Sequence, residues 1–128
     1  MTDLRLTLSA LPDTFAICRL HQDVPVPGWA LGGDFFSITR TPDELSVVYL
    51  QSRVPEQTKC DRGWRCLKVH GPFAFSVVGV VASLTAPLAR AGISVFVVST
   101  YDTDYLLVKE ADLERAVGVL AQDGHRVQ

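Results

Sequence analysis

No basic block occurs in this chain. Lys and Arg together number 12 against 14 Asp and Glu, for a net charge of −2. No run interleaves Arg or Lys with aromatic residues, the pattern that neutralises phosphates and stacks bases. Nucleic-acid binding is therefore not expected. Long apolar runs are also missing. The opening stretch, MTDLRLTLSALPDTFAICRL, places Asp3 beside the start and has no continuous apolar core, unlike a secretory leader. The most apolar stretch, Phe73 to Ala89, is interrupted by Ser76, Ser83, Thr85 and Pro87. It falls short of the roughly 20 residues a membrane-spanning helix needs. Cysteine is scarce: Cys18, Cys60 and Cys66. An odd number of cysteines without a leader implies reduced thiols and a cytoplasmic location. His70 stands four residues beyond Cys66, but a structural metal needs more ligands than these. Neither a metal nor another cofactor is expected.

What is present is a chain suited to a packed core: 48% of its residues are apolar and 20% charged. The second half has the clearer pattern. WRCLKVHG, Trp64 to Gly71, alternates as a strand does, with Trp64, Cys66 and Lys68 on one face and Arg65, Leu67 and Val69 on the other. Val77, Val80, Val81, Leu84, Leu88 and Ala91 then recur at three- and four-residue steps, an apolar helical stripe that Gly92 stops. Pro87 bends that helix or stands near its end. ISVFVVS is β-branched and aromatic, and DYLLV is its hairpin partner. Leu113, Ala116, Val117 and Leu120 line a second helix, with Glu110 and Asp112 in its first turn and Gly124 after it. HRVQ supplies a short last strand. The order βαββαβ is a ferredoxin-like α+β sandwich, an antiparallel sheet with its helices on one face.

The first half looks like a shortened copy. DTFAICRL is a strand, PVPGWALGG has room for a short helix at best, and FFSITR and ELSVVYL form a hairpin around TPDE, with Pro42 and Asp43 in the turn. QSRVPEQTKCDRG breaks the pattern. The expected organisation is a degenerate unit over residues 1–60 and a full unit over residues 61–128.

Glycine is absent from the turn Ser99–Thr100–Tyr101–Asp102–Thr103–Asp104, where a hairpin usually has it. The turn carries two carboxylates and a tyrosine instead. Its neighbour across the sheet edge is expected to be the loop Phe73 to Gly79, which leads into the first helix. A helix start offers free N–H groups and suits a carboxylate. Gly79 allows close approach to the backbone, and Ser76 can cap the helix or donate its hydroxyl. Asp102 and Asp104, two apart, face the same way on an extended chain and accept from an ammonium or guanidinium. Such a place fits a zwitterion, and an α-amino acid is one. Each part also has an ordinary use: Ser76 as a cap, Gly79 for packing, the two aspartates to favour the turn and keep a sheet edge soluble.

The run GVVASLTAPLARAGISVFVVSTYDTDYLLVKEADL resembles ACT domains of the CASTOR type, the family that includes the animal cytosolic arginine sensor. The likeness lies in APLA, GIS, the element VSTYDTD, and the strand ending LVKE. FFSITRTPDELSVV and WRCLKVHGPFAFS are similar to stretches of small bacterial proteins of that family. The resemblance implies tandem ACT folds in a regulatory protein that is not an enzyme. It implies a ligand site between two units, lined here by Ser76, Val77, Val78 and Gly79 from the loop and by Thr100, Tyr101 and Asp104 from the turn. Asp102 and Thr103 fall at variable positions beside them. Because this chain has two units where the sensor has four, the equivalent interface needs a second copy. A homodimer through the second unit is therefore expected. The YDTD turn departs from the family's aromatic-rich form, so the ligand's side chain stays open. Two acids favour a cationic amino acid, while Phe73 or Phe75 as an apolar lid suits a neutral one.

Two other functions compete with this one. A ligand-free interaction module would use the same unit only to pair with itself or another protein. An enzyme would need more than Cys66 or Ser76 beside His70. No third orienting group and no phosphate-binding glycine pattern accompanies them.

Overall fold

The computed structural model describes residues 4–128 of the 128; Asp3 lies outside them. Seven strands and two helices follow one another: β1 (Thr7–Leu20), β2 (Ser37–Arg40), β3 (Leu45–Leu50), β4 (Cys60–Val69), α1 (Val80–Arg90), β5 (Val95–Ser99), β6 (Asp104–Lys109), α2 (Leu113–Gln122) and β7 (Arg126–Val127). The chain forms two compact units. One is Asp13–Trp64; the other joins Arg65–Gln128 to the residues up to Pro12. No helix among the described residues is long and apolar enough to cross a membrane.

In the unit Asp13–Trp64 the strands run in the order β4, β1, β3, β2. This is a ferredoxin-like order in which three-residue 3₁₀ turns, Gly28–Ala30 and Gln51–Arg53, stand where helices would be. The alternation Leu45, Val47, Tyr49 of β3 points into a core shared with Ala16, Cys18, Ala30 and Val54, and Trp29 and Ile38 pack against it. β3 pairs antiparallel with both neighbours, Phe15–Leu20 of β1 and all of β2. The expected hairpin turn is closed by Thr41. Its N–H donates to the Glu44 carbonyl at 2.9 Å, and its Oγ1 accepts from the N–H groups of Asp43 and Glu44 at 3.1 and 3.2 Å. Asp43 and Pro42 occupy the bend, and the Thr41 hydroxyl holds it.

In the other unit the strand order is β7, β1, β4, β6, β5. In a plain βαββαβ sheet the last strand pairs with the first. Here the beginning of β1 takes that place and β7 pairs with it in parallel, Thr7 opposite Arg126 and Leu8 opposite Val127. The units accordingly divide elsewhere than at residue 60. Residues up to Pro12 belong with Arg65–Gln128, and β4, begun at Cys60, changes unit after Trp64. The cause is a period-two pattern: Leu4, Leu6, Leu8 and Ala10 all face the core of this unit.

That core is built from Leu67 and Val69 of β4, Val80, Leu84 and Leu88 of α1, Leu106 and Val108 of β6, and Ala116 and Leu120 of α2. Helix α1 begins at Val80, three residues later than the apolar stripe suggests. Gly79 sits at φ 87° as its cap, so Val77 is left outside, 42% exposed. Both helices end alike. Ile93 N–H reaches the Leu88 carbonyl at 2.9 Å and Gly92 N–H that of Ala89 at 3.0 Å. His125 repeats this on Leu120 at 3.0 Å, and Gly124 on Ala121 at 3.1 Å. These are paired six-to-one and five-to-two closures, which satisfy carbonyls a helix end otherwise leaves open. Pro87 does interrupt α1: with no N–H it leaves the Ser83 carbonyl without its helical donor. His125 Nε2 lies 3.0 Å from that oxygen.

Candidate ligand-binding site

At the end of β4 the chain leaves the sheet through Gly71 and runs as an irregular loop to Gly79. The β5–β6 turn lies against this loop. Phe73 N–H donates to the Asp102 carbonyl at 2.8 Å, and Thr103 Oγ1 donates to the Val69 carbonyl at 2.7 Å. The turn closes on itself through Thr100 N–H to the Thr103 carbonyl at 2.8 Å. It does without glycine because Thr100 Oγ1 also reaches that carbonyl, at 3.1 Å, and accepts from Thr103 N–H at 3.3 Å.

Between loop and turn lies an open cleft of about 410 Å³. Phe73, Ala74, Phe75, Val77 and Gly79 line one side, Ser99 to Asp104 the other, and Val80, Val81 and Ala82 the end. Those last three are the first residues of α1. The Gly79 carbonyl takes the first helical bond, from Ser83 N–H at 2.9 Å, and no side chain caps the helix. The N–H groups of this first turn thus have no helical carbonyl to meet, and the helix dipole's positive end faces the cleft. Opposite stands Asp104, half-buried at the start of β6. Ser99, its cross-strand partner, donates its hydroxyl to Asp104 Oδ1. An anion held at the helix end and a cation held at Asp104 describe one zwitterionic ligand.

Of the nine residues singled out in the sequence, Val77, Gly79, Thr100, Tyr101, Asp102, Thr103 and Asp104 line the cleft; Ser76 and Val78 do not. Ser76 is exposed in the turn before Gly79 and makes no cap bond to α1. The cap falls to Gly79, which has no side chain to bond the N–H groups behind it. Val78 points outward, 73% exposed. Asp102 and Asp104 are not on one extended face: Asp102 is exposed within the bend, and only Asp104 belongs to the strand. Thr103 contributes to the wall, but its side chain is buried, 7% exposed, and turned to β4.

The sequence alone does not mark Ser99, Val80, Val81 and Ala82 as lining residues, nor Gly71 as a place where the walls come close. A Cβ on Gly71 would stand 2.9 Å from the Asp102 carbonyl oxygen. Ser99 stands directly opposite Asp104 across the β5–β6 turn, a pairing that follows once the turn length is known. His70 Nε2 meets Ser9 Oγ at 2.5 Å, and burial pushes the Cys66 thiol up to about 12. Among the described residues no three His, Cys, Asp or Glu side chains gather as a metal site.

A family model for the ACT domain matches residues 59–122, which include both walls of the cleft. The chain belongs to the ACT domain family. A second model, for an N-terminal domain, matches residues 13–57. This ACT protein is 34% identical over 100 residues to the human cytosolic arginine sensor for mTORC1 subunit 1 and 32% identical over 100 residues to the bovine one. Each match takes in 70% of this chain and 30% of the relative, so the chain spans about a third of those sensors' length. A crystal structure of a protein from Agrobacterium tumefaciens is similar throughout: 47% identity, TM-score 0.93, 98% of this chain and 93% of the other. The ligand-free regulatory subunit of aspartate kinase from Thermus thermophilus shares the fold at 11% identity, with a TM-score of 0.63 over 95% of this chain and 99% of that one.

Proposed function

We propose that this ACT protein is a cytoplasmic regulatory amino-acid sensor, without catalytic activity of its own, whose cleft holds the ligand where two copies of the second unit meet. One observation carries the reading. The uncapped start of α1 and the Asp104 carboxylate open on the same cleft, so the α-carboxylate has backbone donors and a cationic group has an acid. The volume, about 410 Å³, lies in the range of small-molecule sites, about 300–1,000 Å³. The curated relatives are arginine sensors by name, and arginine is the first candidate among cationic amino acids. Phe73 and Phe75 beside the acids keep neutral ones in contention. Binding acts by favouring one of two states, not by chemistry.

The test is a melting series of the whole protein against the twenty common amino acids. A ligand at a hundred times its Kd stabilises by about 2.7 kcal/mol, so one or a few amino acids should raise Tm by several degrees. A flat response at millimolar concentrations overturns the reading. With a ligand in hand, Asp104→Ala should weaken it at least tenfold; unchanged affinity would mean the site lies elsewhere.

A second reading is a dimerisation module with no ligand. It is favoured by the exposed Phe75, Val78 and Tyr101 at the cleft mouth, which a partner could cover alone. Self-association together with a flat melting series would select it.

A further inference from the structure

Thr103 lies in the middle of the candidate site and does not offer it a side chain. Its hydroxyl is buried and donates to the Val69 carbonyl, the last of β4, at 2.7 Å. One residue earlier, the Asp102 carbonyl accepts Phe73 N–H at 2.8 Å. Between these two bonds sits Gly71. A Cβ there would meet Asp102 O at 2.9 Å, Thr103 Cβ at 3.2 Å and Phe73 N at 3.3 Å. The first distance is closer than real contacts allow, and the atom met is backbone, so the turn itself would have to move. From this junction the walls diverge: Phe73 to Gly79 on one side, Asp102 back to Ser99 on the other. Farther out they touch again where the Phe75 and Tyr101 rings meet edge-on at 4.7 Å.

The geometry points to Thr103 and Gly71 as positioning residues that set the separation of the two cleft walls without touching the ligand. This rests on the cleft being the amino-acid site. The Thr103 hydroxyl anchors the turn to the sheet, and the missing side chain at Gly71 lets the turn come close enough for Phe73 N–H to bond it. Asp104 follows Thr103 directly, so a shift of this anchor moves the acid relative to the start of α1. A displacement of about 1 Å is enough to cost a positioned contact most of its value.

Three variants of the full chain test this: Thr103→Val, which keeps shape and removes the hydroxyl; Thr103→Ser, which keeps the hydroxyl; and Gly71→Ala, which adds the Cβ. Two quantities are measured on each. One is the exchange rate of the Phe73 amide by NMR, which needs no ligand. The other is affinity for whichever of the twenty amino acids most stabilises the native protein. Thr103→Val and Gly71→Ala should each speed Phe73 exchange and weaken binding by about tenfold, the worth of roughly one lost buried hydrogen bond. Thr103→Ser should restore both. If Thr103→Val lowers Tm yet leaves Phe73 exchange and affinity as they were, the residue is merely structural and the inference is overturned. Should Thr103→Val fail to fold, Gly71→Ala decides alone, since it removes no donor. If no amino acid binds the native chain, the sensor reading has failed. The exchange rate then still judges the latch: faster exchange upholds it as the spacer of the walls, unchanged exchange ends it.

Discussion

His125 shows how much one side chain can do. Its Nδ1 accepts Leu6 N–H at 3.1 Å, and its Nε2 donates to the Ser83 carbonyl at 3.0 Å. Only the neutral ring with its proton on Nε2 serves both. The Ser83 carbonyl needs that donor because Pro87 cannot supply one. His125→Ala should therefore leave the buried Leu6 N–H and the half-buried Ser83 carbonyl unpaired and cost about 2–6 kcal/mol, at about 1–3 for each. In a Pro87→Ala background the new N–H at position 87 can reach Ser83, and the cost of His125→Ala should fall by about 1 kcal/mol or more. Urea unfolding of the four proteins measures this. Equal costs in both backgrounds would show that the ring does not stand in for the proline's missing donor.

The cysteines give a prediction with a definite pH range. Burial raises Cys66 from its ordinary 9.0 to about 12. Burial first, then a hydrogen bond with Cys60, does the same to Cys18. Both thiols stay protonated in the folded chain while the unfolded chain ionises them near 9. Between about pH 9 and 12 the unfolded state thus binds fewer protons, and stability falls as pH rises. The contribution is complete below pH 9 and is lost toward 12. At pH 8, iodoacetamide should label half-buried Cys60 in the folded protein well before Cys18 or Cys66, whose burial both shields them and keeps their thiols protonated. Fast labelling of Cys66 under these conditions would contradict its placement in the core.

At the scale of elements, identical substitutions should act with opposite sign. Gly92 and Gly124 close the two helices at φ 73° and 95°. An alanine at either should cost about 1–2 kcal/mol for entering the left-handed region. Gly118 lies inside α2, where an added Cβ meets nothing within 4 Å. Alanine there should stabilise by roughly 0.5–1 kcal/mol. Chemical denaturation of the three variants checks both signs.

Those terminal glycines were also legible in the sequence, because a glycine after an apolar stripe names a helix end whatever surrounds it. The hairpins were legible too, since alternation and the TPDE turn are local. The start of α1 was not. Val77 fits the stripe, and nothing nearby tells that Gly79 turns left-handed and cuts it off. The first part of β1 is masked in the sequence for a different reason. Leu4, Leu6, Leu8 and Ala10 alternate plainly, but Pro12 follows them, and a proline inside a run argues against one long strand. The pairing of β7 with β1 joins residues some 120 apart, and no short pattern announces it. In the cleft wall, the Asp104 carboxylate is legible from its charge and its place in the turn. Gly71 is not, because the need for its missing side chain comes from Asp102, thirty residues away.

For the whole molecule, the apolar side chains left in water are the telling feature. Phe75 is 76% exposed, Val78 73% and Tyr101 79%, with Val77 beside them, all from the two loops that frame the cleft. Single exposed apolar residues are ordinary, but a cluster around a site usually marks a surface that another molecule covers. A second copy docking here would place its own loops over an open cleft and complete the ligand's enclosure. Val78 is the useful position, because it faces outward and does not line the cleft. Sedimentation of the native chain should show a dimer at micromolar concentration, and Val78→Asp should shift it toward monomer without lowering Tm at low concentration. Buried charge without a partner is costly at an interface, so the effect should be at least tenfold in dissociation constant. If the ligand is enclosed by both copies, adding it should tighten the native dimer, and Val78→Asp should weaken ligand binding from outside the cleft. A monomeric native protein that binds its amino acid at full strength would separate the two ideas, leaving the cleft as a site within one chain and the apolar rim with some other use.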